Sequence, residues 1–523
     1  MGNLFCDCEK KQPATVNIDA GVPDFESKNK VLKSGPQSAI GKLQKTTSQD
    51  DFWNSLENSS LIGKGDGNPK EKYEFISELG KGSFGVVYKA RLKKTGDLRA
   101  IKIIKKTDNS VSVTKNLIRE IELLENADHP NIIKIYEFYN CPEYVCIVSD
   151  FGKQGSLANS IDQIIKESET TKAQIMFQLL SAVNYCHNIK VMHRDIKPDN
   201  ILIEKNNDGL YKIKLIDFGT AMVFVNNEHR VTGTSHYIAP EVLSGNYNEK
   251  CDIWSCGVLC YVLFKGSFPF NGNTRNEIFR SIKTGKFDIS SPPFDNVSGE
   301  AKDLIQKMLK TNPEERTNAS EALNHPWFQN LKIKDELSEI DFDMARKVLN
   351  NIYNYNTTTT LQKPVIAYLV HNFGHQSKYV NAASALFSKI DYNNDGSLGK
   401  NEFIKNLTEL FKKYHQEIDK TYLETLFDII DSDESHKIGY REFICSAVDK
   451  KEFLSDFMIQ DAFDFFDKDK NGTITLEEVK KAFKNEKNYK EEDFKNIINQ
   501  IDLNQDSKID YNEFKKMMET ILK

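Results

Sequence analysis

Four stretches of twelve residues constrain this chain more than anything else in it: DYNNDGSLGKNE, DSDESHKIGYRE, DKDKNGTITLEE and DLNQDSKIDYNE. They begin at Asp391, Asp431, Asp467 and Asp502, offsets of 40, 36 and 35 residues. Each places oxygen-bearing side chains at positions 1, 3 and 5 and a glutamate at position 12. Calcium takes roughly six to eight hard oxygens, and a loop of this design delivers them together with the backbone carbonyl of position 7. The offsets leave room for a loop and two helices per repeat, so the tail must fold as stacked helix–loop–helix units. Residues 381–523 hold 30 Asp/Glu against 22 Lys/Arg, an acidic balance that suits cations and argues against a nucleic-acid binder.

The four loops differ in quality. The first offers Asp391, Asn393, Asp395, the carbonyl of Ser397 and Glu402, with Gly396 at the sharp turn of position 6. The third offers Asp467, Asp469, Asn471, Thr473 and Glu478, with Gly472 at the turn. The second offers Asp431, Asp433, Ser435, the carbonyl of Lys437 and Glu442, but His436 stands where glycine belongs. The fourth offers Asp502, Asn504, Asp506, the carbonyl of Lys508 and Glu513, with Ser507 at the turn. A left-handed backbone costs a non-glycine residue about 1–2 kcal/mol, so loops two and four are expected to bind more weakly. Loop two, with Ser435 for an acid or amide, is expected to be the weakest. Leu398 and Ile474 at position 8 predict a short strand pair between loops.

Ahead of this tail lies phosphate chemistry. LGKGSFGVV spans Leu79, Gly80, Lys81, Gly82, Ser83, Phe84, Gly85 and Val87, and it runs from strand to strand. Glycines there let backbone approach a triphosphate. Lys102 follows on the third strand, placed to pair with phosphates, and Glu120 is its helical partner. HRDIKPDN supplies Asp195 to accept a hydroxyl proton, Lys197 to neutralise the transferring group and Asn200 to hold a metal. IDFGT adds Asp217, a Mg²⁺ ligand. Short β-rich runs precede Asp150 and long amphipathic helices follow it, which predicts a small sheet-rich lobe and a larger helical one.

In this order the motifs resemble the eukaryotic protein kinase family over residues 73–328, and DIKPDN resembles its serine/threonine branch. The resemblance implies ATP and Mg²⁺. It implies that Asp150 and Gly152 contact adenine through backbone, that Ser149 guards a back pocket left open by its small side chain, and that Ser156 stands at the ribose position. It also implies that Thr234 supports Asp195 and Lys197, and that Arg316 pairs with Glu241. Glu228 is a candidate phosphate mimic near Arg194. The loops resemble a calmodulin-type tandem of four EF-hands over about 381–520.

Together the two parts resemble the calcium-dependent protein kinases: an α+β bilobal kinase followed by an all-α calcium-binding domain (381–523). The resemblance implies that residues 329–380 form a junction that inhibits the kinase without Ca²⁺. Read directly, Val348, Leu349, Ile352 and Tyr355 make one apolar stripe, and Leu361, Val365, Ile366, Leu369 and Val370 a second. TTTT is a poor helix run and Pro364 fits only a first turn, so two helices with a break near Thr357–Thr360 are expected. An amphipathic helix in an apolar groove is how such a calcium domain takes a target.

Residues 1–72 lack apolar periodicity and are expected to be mostly disordered. Gly2 is a candidate for myristoylation, although Cys6 replaces the usual Ser/Thr; Cys6 and Cys8 are candidates for palmitate. The nine cysteines show no pairing or zinc spacing, which suits a reducing compartment. The expectation is a cytoplasmic monomer, membrane-associated if acylated, acting on Ser/Thr of protein substrates. A scaffold without catalysis is the rival reading, and the intact Lys102, Asp195, Asn200 and Asp217 oppose it.

Overall fold

The computed structural model describes residues 62–520, apart from 66, 83–84, 107–119, 122, 125–126, 142, 207–208, 224–232, 332, 334–340, 356–359, 432–434 and 484–489. It separates into two compact units, Gly65–Ile333 and Lys334–Lys523.

The first unit opens on β1 (Gly63–Gly65) and α1 (Pro69–Lys72). The sequence reading put an unstructured segment there. Its remaining part, residues 1–61 with Gly2, Cys6 and Cys8, lies outside the described residues. Then come β2 (Tyr73–Gly82), β3 (Gly85–Leu92), β4 (Leu98–Lys105), β5 (Ile135–Asn140) and β6 (Tyr144–Asp150). They form one sheet in the order β1-β5-β6-β4-β3-β2. Alternation of buried residues along β3 and β4 turns Tyr88, Ala90, Ile101 and Ile103 into one core with Tyr73 and Val148. At the β1 edge Gly65 lies flat on the Tyr139 ring: a Cβ there would fall 2.1 Å from a ring carbon.

The helical lobe holds α2 (Leu157–Ile164) and α3 (Glu169–Asn188). The hydroxyl of Ser168 caps α3 by accepting from Thr171 N–H. Next are β7 (Val191–Met192), β8 (Ile201–Lys205), β9 (Tyr211–Leu215) and β10 (Met222–Val223). β7 pairs with β10 and β8 with β9. They are followed by α4 (Lys250–Lys265), α5 (Arg275–Thr284), α6 (Gly299–Met308), α7 (Ala319–Leu323) and α8 (Pro326–Asn330). α4 is apolar almost all round and is accordingly buried along nearly its whole length.

The second unit begins with α9 (Phe342–Tyr353) and α10 (Gln362–Phe373). The gap between them covers the expected break; Thr357, Thr358 and Thr359 lie outside the described residues. Pro364 falls in the first turn of α10, where its missing N–H costs no helical bond. Eight helices flank the four loops: α11 (Lys378–Ile390) and α12 (Lys400–Lys413), α13 (Lys420–Ile430) and α14 (Tyr440–Ala447), α15 (Asp456–Phe466) and α16 (Leu476–Ala482), α17 (Glu491–Ile501) and α18 (Tyr511–Glu519). Between them β11 (Ser397–Gly399) pairs with β12 (Lys437–Gly439), and β13 (Thr473–Ile474) with β14 (Ile509–Asp510). Leu398 faces Ile438 and Ile474 faces Ile509, the strand pairing that position 8 predicts.

One apolar core runs through this unit, and both junction helices belong to it: Val348, Leu349, Ile352, Leu361, Val365, Ile366 and Leu369 are all buried there. α9 packs on α11, α13 and α14, around the first two loops. α10 packs on α14 and α15, and its Gln362, fully buried, donates to the Met517 carbonyl at 2.8 Å and to Thr520 Oγ1 at 3.0 Å.

Candidate active site and calcium loops

The phosphate side of the site is built on three elements. Val87 of β3 sits in register with Gly80 on β2 and Lys102 on β4. Leu79, Gly80, Lys81 and Gly82 lie on β2, and Leu79 is 48% exposed. Gly82 faces Gly85 across the turn; Ser83 and Phe84 between them lie outside the described residues. A Cβ on Gly85 would meet the Ile103 carbonyl oxygen at 2.1 Å, so only glycine brings β3 this close.

Lys102 Nζ lies 3.3 Å from Glu120 Oε2 and 3.3 Å from Asp217 Oδ1. Burial works against the ammonium, but the two carboxylates outweigh it and push its pKa well up. Burial would likewise lift Asp217, yet Lys102 holds it below the usual carboxylate range. Asp217 itself takes a left-handed backbone, φ 63°, a conformation that L-residues adopt mainly where the surroundings demand it.

The transfer side centres on Asp195. Thr234 Oγ1 donates to its Oδ1 at 2.8 Å, Lys197 Nζ stands 2.7 Å from its Oδ2, and Asn200 Nδ2 donates to Oδ2 at 3.0 Å. Lys197 also donates to Thr234 Oγ1 at 2.9 Å. With its nitrogen turned to Asp195, the Asn200 amide has its oxygen as the atom to take a metal. The Asn200 backbone carbonyl accepts from Ile216 N–H at 2.9 Å, which ties it to the strand end that carries Asp217. Residues from separate stretches thus gather into two clusters, Lys102 with Glu120 and Asp217, and Asp195 with Thr234, Lys197 and Asn200. Arg316 grips Glu241 with both guanidinium nitrogens, 0% exposed on its side chain.

The other residues singled out in the sequence have these surroundings. At the start of α2 the Ser156 hydroxyl donates to Asn159 Oδ1 at 2.9 Å, and its N–H donates to the same oxygen at 3.1 Å. Arg194 donates to the Thr220 carbonyl at 2.7 Å and to the Tyr247 hydroxyl at 3.1 Å. Glu228 and Thr232 lie outside the described residues. Gly152 faces Leu202, whose Cδ2 would meet a Cβ at 3.0 Å.

Sequence reasoning missed Asp252 on α4. It is 1% exposed and accepts from the N–H groups of His193 (2.9 Å) and Arg194 (2.8 Å), with His187 Nε2 at 3.0 Å. It therefore fixes the backbone that leads into Asp195. The signal was present in CDIWS, a lone acid in an otherwise apolar helix.

The calcium loops share one wiring. In loop one Asp391 accepts from Asp395 N–H (3.2 Å) and Gly396 N–H (3.0 Å), while Asn393 accepts from Asp395 N–H (2.8 Å) and Glu402 from Tyr392 N–H (3.1 Å). Ser397 donates to Asp395 Oδ1 at 2.8 Å. Loop three repeats this through Asp467, Asp469, Asn471, Thr473 and Glu478. Carboxylate oxygens of Asp467, Asp469 and Glu478 all lie within 4.8 Å of one another. Loop four repeats it through Asp502, Asn504, Asp506, Lys508 and Glu513. Position 6 is left-handed in every loop: φ 78° at Gly396, 62° at His436, 84° at Gly472 and 66° at Ser507.

Burial raises the carboxyls of Glu402 and Asp467 above their ordinary values, with smaller contributions from neighbouring Asp395 and Glu478. Hard oxygens so arranged fit Ca²⁺. Loop two fits least. Its Ser435 hydroxyl donates to the Lys437 carbonyl at 2.8 Å, occupying the position-7 oxygen, and Asp431 accepts from His436 N–H at 3.1 Å. Glu442 accepts from Gly439 N–H at 2.9 Å; Asp433 lies outside the described residues.

A family model described as protein kinase domain matches residues 73–328, and one described as EF-hand domain pair matches 381–447 and 456–519. Among curated proteins, calcium-dependent protein kinase 4 of Plasmodium falciparum is 36% identical over 519 residues, covering 94% of this chain and 96% of its own. Calcium-dependent protein kinase 3 of Plasmodium berghei is 37% identical over 471 residues, covering 86% and 81%. Calcium-dependent protein kinase 5 of Plasmodium falciparum is 36% identical over 446 residues, covering 84% and 76%.

Proposed function

The chain belongs to the calcium-dependent protein kinase family, and on that footing we propose that it transfers the γ-phosphate of ATP to serine or threonine of protein substrates under calcium control. The observation that carries the reading is one site with two halves: Lys102 between Glu120 and Asp217, and Asp195 held by Thr234, Lys197 and Asn200.

Phosphoryl transfer is mostly positioning and charge neutralisation. Mg²⁺, which Asp217 and Asn200 would hold, supplies charge neutralisation on the phosphate oxygens. Lys102 grips the nucleotide's phosphates from β4, and Glu120 keeps the ammonium aimed. Asp195, fixed by three donors, orients the substrate hydroxyl and accepts its proton. Lys197 lies beside it to meet the charge that develops on the transferring group. Leu79, Val87 and the backbone of Asp150 and Gly152 enclose the base.

Calcium, when bound, supplies the charge compensation that loops one, three and four require. The junction helices α9 and α10 are the intramolecular target of the calcium domain, as their place in its core supports. Without calcium the junction inhibits the kinase; with calcium the tail holds it away. The chain acts as a cytoplasmic monomer, with membrane association through acylation of Gly2 and of Cys6 or Cys8; one acyl chain alone would hold it marginally.

The test is phosphate transfer from ATP to a generic basic peptide, with calcium and with chelator. Transfer only with calcium supports the reading. Equal transfer in both removes the calcium coupling, and none in either favours the scaffold. Mass spectrometry of the amino terminus tests the acylation.

A further inference from the structure

We infer that Asp150 and Lys214 form an ion-paired latch behind the adenine-contacting backbone and act as positioning residues for the nucleotide. The inference rests on the kinase reading above and adds side chains to it.

Asp150 ends β6, the last strand before the helical lobe, and its carboxylate is fully engaged. Lys214 Nζ lies 2.5 Å from Oδ2, Lys134 N–H donates to Oδ2 at 3.1 Å, and the Tyr136 hydroxyl donates to Oδ1 at 2.7 Å. The Asp150 side chain is 15% exposed and that of Lys214 is 34%. Behind Tyr136 lies Arg99, which stands opposite Asp150 in the β4–β6 register with its guanidinium 4.0 Å from the Tyr136 ring centre. Burial alone would raise the Asp150 carboxyl; the Lys214 ammonium instead holds it well below the usual range.

The location gives this network its role. Asp150 N–H donates to the Lys134 carbonyl at 3.1 Å, so side chain and main chain of Asp150 are both pinned to one segment. Its carbonyl and the Gly152 N–H are the groups that meet adenine, and their direction depends on the peptide planes staying fixed. Lys214 sits on β9, three residues before Asp217. β9 is anchored to the same segment: Leu215 N–H donates to the Asn131 carbonyl at 2.8 Å and Ile133 N–H to the Leu215 carbonyl at 3.1 Å. The latch therefore ties the backbone at the base end of the nucleotide to the strand that presents the ligand at its phosphate end.

The experiment uses the full chain at saturating calcium. Initial rates of peptide phosphorylation are measured against ATP for wild type, Lys214→Met, Lys214→Arg and Tyr136→Phe, and calorimetry measures a non-hydrolysable ATP analogue without peptide. Losing a charge-assisted hydrogen bond predicts a roughly tenfold rise in KM for ATP in Lys214→Met, matched by the calorimetric Kd, with kcat within roughly twofold. Lys214→Arg restores the pair and brings KM back to within roughly twofold. Tyr136→Phe, which removes one hydroxyl, raises KM roughly two- to threefold and keeps the test alive should Lys214→Met fail to fold. Unchanged KM in Lys214→Met or in Tyr136→Phe, a fall in kcat alone, or no rescue by arginine overturns the latch. Absence of transfer by wild type overturns the kinase reading instead.

Discussion

Replacing Tyr368 by alanine tests the calcium switch at its tightest contact. Tyr368 lies on α10, 5% exposed, with its ring stacked on Phe465 at 4.1 Å between centroids and its hydroxyl donating to Asp461 at 2.8 Å. Truncating a buried aromatic costs about 3–5 kcal/mol. That cost falls on the state in which the calcium domain holds the junction. If calcium moves the kinase from about 1:99 active to about 99:1, the swing is about 5.5 kcal/mol. Removing about 4 kcal/mol of it is a factor of about 700, since each 1.4 kcal/mol is about tenfold. The saturated ratio then becomes about 1:7, and maximal activity falls to roughly an eighth without recovery at higher calcium. Tyr368→Phe keeps the stack and loses one hydrogen bond of about 1 kcal/mol, so its maximum stays above about nine-tenths while half-maximal calcium rises. The assay is initial-rate peptide phosphorylation across calcium buffers, with a thermal melt to verify that the second unit is folded. Full maximal activity in a folded Tyr368→Ala protein refutes the competition.

Asp252→Asn weakens the acceptor of the His193 and Arg194 N–H groups and should lower kcat by at least about tenfold with KM for ATP little changed, read in steady-state kinetics. Asp467→Asn should reduce the number of calcium ions bound by one in calorimetry, whereas Asp431→Asn should leave that number unaltered. Ser507→Gly relieves a left-handed φ of 66° and should tighten calcium at loop four by roughly fivefold in the same titration. Lys450 lies over the Tyr355 ring at 4.7 Å, and burial brings its pKa down to about 8. Its folded pKa is below the unfolded one, so the unit binds fewer protons than the unfolded chain between pH 8 and about 10.5. Stability of the second unit in urea melts should rise with pH across that window, and Lys450→Met should flatten the rise.

Much of the site was legible because its residues stand at fixed spacings along the chain. Lys102, Asp195, Asn200 and Asp217 each belong to a stretch whose neighbours announce a turn or strand. The acidic loops were legible for the same reason, as was a short strand at Leu398, though not that it would pair with Ile438. Residues that act across the fold were not. Lys214 reads as a solvent-facing alternate of β9, between buried Ile213 and Leu215, because a period of two tells inside from outside but not what stands outside. Gln362, a polar residue at a helix start, gave no sign of complete burial against the end of α18. β1 was missed because three residues, two of them glycine, carry no pattern.

That short strand has a consequence for how the small lobe behaves in company. Open sheet margins invite foreign chains to add themselves by main-chain pairing. Here β5 is shielded on one side by a ribbon of three residues, too brief to template another strand. At the opposite margin β2 slips register twice, between Phe75 and Ser77 and between Glu78 and Gly80, and such irregularities twist a strand out of the flat form that stacking needs. The small lobe is thereby kept from pairing with foreign strands at either border.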